Sequence, residues 1–119
     1  MIDNDVEHLV SELQRSAAAG MLQQCQVGIE KESLRVATDG TLSQQQHPRA
    51  LGSALTHPWV TTDYSEAMLE LITPPLHGAQ QSLDFLCDIH TYVYRNLGEE
   101  ILWATSMPCV LAGETRIPI

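Results

Sequence analysis

Two acidic stretches occupy places where strand-forming sequence would normally bury apolar side chains. In residues 28–36, GIEKESLRV, Glu30 and Glu32 are two positions apart, so on a strand both carboxylates leave the same face. In residues 61–75, TTDYSEAMLELITPP, Glu70 stands between Leu69 and Leu71, and Asp63 lies near the start. Carboxylates gathered in a poorly solvated place repel one another and take up protons unless positive charge joins them. A divalent cation meets that need. Hard ions such as Mg²⁺ or Mn²⁺ prefer carboxylate oxygen and keep waters that a phosphate can replace. The candidate ligands are therefore Glu30, Glu32, Asp63 and Glu70. Asp63 complicates the parity. It is seven residues from Glu70, which on one regular strand puts the two on opposite faces, so a bulge or bend between them is expected. On spacing alone, the commoner arrangement is a solvated edge strand whose charges discourage aggregation. Paired-acid glycoside hydrolysis is a further chemistry that the spacing leaves open.

The elements that must position these acids follow from periodicity. Val6, Leu9, Val10 and Leu13 recur at helical spacing, with Asp3 or Asp5 as a cap and residues 17–20 as the end. A strand is expected over 27–36. Asp39-Gly40 then reads as a hairpin turn, because the type needs positive φ. Residues 43–56 are polar, hold Pro48 and Gly52, and read as a loop. A second long strand is expected over 60–73, bent near its start and stopped by Pro74 and Pro75, which cannot donate to a ladder. Leu83, Leu86, Ile89, Val93 and Leu97 predict an amphipathic helix over 81–96, with Gly98 as its C-terminal cap. The apolar tail from 101 to 119 carries no clear element. The fold class implied is α+β, an antiparallel sheet with flanking helices, and its ragged apolar end looks like part of something larger.

Composition narrows the partners. Fifteen acidic against six basic residues give a formal charge of −9 over 119 residues, enough for one small domain. That balance argues against nucleic acid, whose binding needs a basic face. It suits cations, although acidity by itself also serves solubility. Three cysteines, Cys25, Cys87 and Cys109, show no zinc spacing and fit reduced cytoplasmic thiols. The acidic N-terminus MIDNDVEH has no apolar signal core, and no apolar run suggests a membrane span. Other catalytic patterns are weak. Ser53 and His57 are neighbours in sequence without a nucleophile elbow, His90 on the long helix suits packing or surface, and no glycine-rich phosphate loop is present.

Longer words then become recognisable. GIEKESLRV, DGTLS, HPRALGSALTHPWVTTDYSEAMLELITPP and LDFLCDIHTYVYRNLGEEILWATSMPC, in that order, resemble the N-terminal part of the proteobacterial glutamate–cysteine ligase family. The resemblance runs from about Gly28 to Cys109. It implies a fold related to glutamine synthetase, with an antiparallel sheet forming a funnel around the active site, of which residues 1–119 would be one N-terminal segment, incomplete at its C-terminal end. It implies ATP-dependent joining of the glutamate γ-carboxylate to the cysteine amine through γ-glutamyl phosphate, the first step of glutathione synthesis, in the cytoplasm. Glutamate, cysteine and ATP would be its ligands, with Mg²⁺ or Mn²⁺ bridging protein carboxylates and ATP phosphates. Matched position by position, the family's metal ligands fall on Glu30, Glu32, Asp63 and Glu70, all acidic here. The aromatic residue that walls the cysteine side-chain pocket falls on Tyr64, where relatives can carry Phe; ordinary core packing is the competing role for Tyr64. No catalytic acid, base or nucleophile and no ATP contact is carried over onto this stretch, and the chain alone is expected to be inactive. A different class of function is a non-catalytic acidic module derived from the ligase, binding cations or pairing its open sheet edge with another chain.

Overall fold

Strand β2 (Glu30–Val36) is one of the two inner strands of the main sheet, with both of its edges paired. The protein is described here by a computed structural model covering residues 3–15, 20 and 24–119. Helix α1 (Asp3–Arg15) comes first and leaves Val6, Leu9, Val10 and Leu13 exposed. Asp5 lies inside this helix, not at its cap, and the expected helix end over 17–20 falls largely outside the described residues. The remaining strands are β1 (Gln26–Val27), β3 (Val60–Thr62), β4 (Met68–Ile72), β5 (Leu76–His77) and β6 (Ile101–Leu102), with helix α2 (Ala79–Asn96) between β5 and β6. A four-stranded antiparallel sheet runs in the order β3-β4-β2-β6, and β1 pairs with β5 in a two-stranded ribbon. The α+β class with an antiparallel sheet and flanking helices is as expected.

Two departures from the periodicity matter. The strand expected over 27–36 is two strands: β1 turns away at Gly28 and Ile29 to meet β5, and β2 begins at Glu30. The long strand expected over 60–73 is a hairpin: β3 and β4 pair antiparallel, Val60 with Leu71, Thr61 with Glu70 and Thr62 with Leu69. The turn between them has no Gly or Pro to announce it. Its backbone closes through Asp63 N–H to Met68 O at 3.3 Å and Met68 N–H to Ser65 O at 2.8 Å.

The two faces of the sheet differ. Val60, Leu69 and Leu71 turn toward α2 and pack on Ile89, Val93 and Leu97, with Leu51 and Leu102 closing the same core. At the far end of β2, Leu34 and Val36 project the other way and are covered by Trp103, Cys109 and Ile117 of the tail, beside Leu42 and Ala67. The tail is thus given its place by β6, which pairs with Arg35 and Val36, and by this second cluster. Gly40 adopts φ +82° in the Asp39-Gly40 turn, and Gly98 adopts φ +71° just beyond α2, as turn and cap positions require.

Candidate functional site

The register of β2 against β4 sets Glu32 directly across from Glu70 and Glu30 across from Ile72. Directly opposed residues of an antiparallel pair project to the same face, so Glu30, Glu32 and Glu70 share one face. Thr61 stands opposite Glu70 on the other side, and Asp63, two residues further on, returns to that face. The parity problem raised by counting from 63 to 70 along one strand therefore disappears. The chain reverses in between, and the Asp63 N–H to Met68 O bond extends the ladder past the end of β3. A tight turn does what a bend had been expected to do.

The face is the one turned away from α2. Leu34, Met68 and Ile72 lie on it half-buried, so the carboxylates stand on an apolar floor. The bases of β2 go elsewhere. Lys31 is on the helix side, where its ammonium donates to Ser33 Oγ at 2.5 Å and burial pushes its pKa down. Arg35 is fully buried on the same side. Glu70 consequently feels uncompensated charge: partial burial pushes its carboxyl above the usual value, and Glu30, Asp63 and Glu32 push it further in the same direction. The charges of Glu30, Asp63 and Glu32 thus all bear on Glu70.

Among the described residues, no group of three or more His, Cys, Asp or Glu side chains is arranged so that it could hold a metal ion by itself. The donor chemistry nonetheless fits a hard cation, since a Mg²⁺ ion keeps several waters and takes one or two carboxylates from a protein, with phosphate oxygens completing the shell. Glu32 and Glu70, across one ladder rung, are the pair best placed to supply them.

Tyr64 follows Asp63 in the turn and is 72% exposed, so within this chain its ring is open to solvent. The turn itself is fixed from behind. Ser65 Oγ donates to Pro118 O at 2.9 Å, and Glu66 N–H donates to the same carbonyl at 3.1 Å. Arg35 donates through Nη2 to Glu66 O at 3.1 Å and to Gln45 O at 2.8 Å, and through Nη1 to Glu100 Oε2 at 2.6 Å. Glu100 also accepts from Ser43 Oγ. From the sequence Arg35 carried no assigned role. Its signal, an Arg inside a strand whose neighbours Leu34 and Val36 are apolar, was present but pointed to no partner sixty-five residues away.

Comparison with known proteins decides the family. A sequence profile described as glutamate-cysteine ligase matches residues 10–119. The chain belongs to the glutamate–cysteine ligase family. A glutamate–cysteine ligase of Alcanivorax borkumensis is 52% identical over 114 residues, spanning 96% of this chain and 22% of the relative. One of Pseudomonas entomophila is 57% identical over 99 residues, spanning 83% of this chain and 19% of the relative. The chain therefore spans about a fifth of the length of the curated relatives it matches. Two solved structures are also similar. The glutamate–cysteine ligase of Francisella tularensis in complex with AMP superposes with a TM-score of 0.72 and 37% identity, over 76% of this chain and 18% of that one. A bifunctional glutathione synthetase from Pasteurella multocida gives a TM-score of 0.76 and 40% identity, over 83% of this chain and 14% of that one. Among the described residues no helix is long and apolar enough to cross a membrane.

Proposed function

We propose that this chain is one wall of the active-site funnel of a cytoplasmic glutamate–cysteine ligase, and that Glu30, Glu32, Asp63 and Glu70 hold the divalent cations that accompany ATP. Bound Mg²⁺ or Mn²⁺ would supply charge neutralisation at the ATP phosphates. The chain's own carboxylates supply fixed negative charge on a sheet face closed from behind by α2, which holds their positions during phosphoryl transfer. Such transfer depends mostly on positioning and electrostatics. The overall reaction of the complete enzyme would move the γ-phosphoryl of ATP to the γ-carboxylate of glutamate. Attack by the cysteine amine would then displace phosphate and form the amide. Tyr64, exposed beside Asp63, would wall the cysteine side-chain pocket. No residue of this stretch is assigned proton transfer or nucleophilic attack.

The observation that carries the reading is the in-register opposition of Glu32 and Glu70, with Glu30 and Asp63 on the same open face. The test is a graft: residues 10–119 replace the matching segment of the Alcanivorax borkumensis ligase, and ATP-dependent γ-glutamylcysteine formation is measured. The graft is expected to be active. Glu70→Gln in it is expected to lose at least about a hundredfold in turnover, partly restored by excess Mn²⁺, because a neutral amide oxygen binds a hard cation poorly. Glu99→Gln, an exposed site beyond α2, is the control. Equal activity of the two variants would overturn the assignment of the site while leaving the family membership intact.

A further inference from the structure

The edge of the sheet nearest Asp63 is closed by a histidine. Strand β3 is an edge strand, so alternate backbone groups have no neighbouring strand. Trp59 O accepts from Ile72 N at 2.9 Å, and Asp63 N–H donates to Met68 O, so positions 59, 61 and 63 direct their groups toward β4. By alternation the Val60 N–H points the other way, off the edge. Val60 is fully buried, and an unpaired buried N–H is costly. Its acceptor is His57 Nδ1 at 2.9 Å, which also accepts from Trp59 N–H at 3.1 Å. A nitrogen that accepts carries no proton, so this arrangement requires the Nε2–H tautomer.

The ring is itself held in place. His57 N–H and Thr56 N–H both donate to Ser53 O, at 2.9 and 3.1 Å, which folds 53–57 into a turn. Thr61 Oγ1 reaches back to Ala54 O at 2.9 Å, lashing β3 to that turn. Pro58 restricts His57 to extended backbone. On its outer side the imidazole stacks on Tyr92 of α2, with centroids 5.7 Å apart and planes at 19°. Tyr92 in turn donates to Ala50 O at 3.3 Å. The imidazole thus joins the helix, the turn and the edge strand four residues before Thr61, which faces Glu70.

We propose that His57 is a positioning residue for the acidic face: Nδ1, by accepting from Trp59 and Val60, sets the register in which β3 presents Asp63 beside Glu70. Its consequence for cation binding rests on the reading of that face given above; its effect on register does not.

The experiment uses the ¹⁵N-labelled 119-residue chain. Long-range ¹H–¹⁵N spectra are expected to show His57 with Nδ1 unprotonated and Nε2 protonated at neutral pH. A protonated Nδ1 in the neutral ring would overturn the proposal without any variant. His57→Phe keeps a ring for Tyr92 but removes the acceptor. His57→Asn removes the ring but places a carbonyl oxygen near the position of Nδ1. In His57→Phe the Trp59 and Val60 amides are expected to lose roughly tenfold in exchange protection, the size of one lost hydrogen bond. The cross-strand contact between Thr61 and Glu70 should weaken, and Mn²⁺ affinity measured by electron paramagnetic resonance should fall several-fold. His57→Asn should restore most of each. Equal behaviour of the two variants, or full protection in His57→Phe, would overturn it. Should His57→Phe not fold, the wild-type tautomer and the protection in His57→Asn still decide. If the wild type binds no Mn²⁺, the cation reading fails, and the amide and cross-strand signals judge His57 by themselves.

Discussion

Replacing Glu70 by Gln should make the metal-free chain more stable, and the size of the gain can be worked out from the register. Glu32 is its direct cross-strand neighbour, Glu30 its diagonal one, and Asp63 approaches from the turn. Same-face neighbours of this kind place charge centres roughly 6–8 Å apart, worth about 0.6 kcal/mol of repulsion each at the dielectric of water. Three such terms, less the repulsion that survives in the unfolded chain, leave about 1 kcal/mol at low ionic strength, or roughly 4 °C in Tm for a domain of this size. At physiological ionic strength, with a Debye length of about 8 Å, less than half should remain. The sign with pH follows from the raised carboxyl of Glu70. The folded state holds its proton to higher pH than the unfolded state does, so wild-type stability falls as pH rises from the ordinary value of 4.5 through the raised one. The gap between wild type and Glu70→Gln should therefore vanish below that window and be complete above it. Saturating Mn²⁺ should reverse the order, since binding at a hundred times Kd adds about 2.7 kcal/mol to the wild type alone. Urea unfolding followed by tryptophan fluorescence, with and without Mn²⁺ and at two salt concentrations, measures all of this. A Glu70→Gln chain less stable than wild type in low salt without metal would refute the electrostatic reasoning, whatever the enzyme assay said.

Arg35→Met should cost about 3 kcal/mol or more in urea unfolding, because Glu100 would be left charged and without its guanidinium. Arg35→Lys should rescue little of it, since one ammonium cannot reproduce the fork that reaches Glu100, Gln45 and Glu66. The His90 and His47 rings are held below the ordinary imidazole pKa, first by burial and then by Lys31 and Arg35 respectively. The unfolded chain binds more protons there, so stability should fall as pH drops below the ordinary value of 6.5, and His90→Leu should flatten part of that slope in a pH series of unfolding midpoints. Tyr64→Ala should leave stability within about 0.5 kcal/mol, as an exposed ring allows, yet raise the KM for cysteine in the active graft, while Tyr64→Phe should do neither.

What the residue pattern revealed, and what it hid, divides along local and non-local lines. Helix α2 was legible because its apolar stripe from Leu83 to Leu97 repeats over about four turns, and the Asp39-Gly40 turn because only certain residues accept positive φ. The faces of Glu30 and Glu32 were legible from a spacing of two. The β3–β4 hairpin was not. TTDYSEAM offers two β-branched residues and no glycine or proline, so it reads as continuous strand, and its turn is stabilised from outside by Pro118 and Arg35. For the same reason β6 was hidden: two residues have no period, and only pairing with Arg35 and Val36 makes them a strand. His57 gave no catalytic signal because its partners are backbone N–H groups, which every sequence contains.

The placement of Arg35 ties these points together. A sheet face that gathers four carboxylates tends to spread apart, since every separation lowers the repulsion. Asp63 has the most freedom to do so, lying in a turn at the sheet edge. Two anchors oppose it from the other face. The buried guanidinium grips Glu66 O, three residues after Asp63, and shares that grip with Gln45 O and Glu100. His57 holds the entry to β3, three residues before Val60. Each uses hydrogen bonds to backbone shielded from water, where loosening would leave buried groups unpaired at about 1–3 kcal/mol apiece. That exceeds the roughly 0.6 kcal/mol gained by moving any one carboxylate away from a neighbour. The acidic face can therefore remain assembled without a bound cation, held by the helix side of the same sheet.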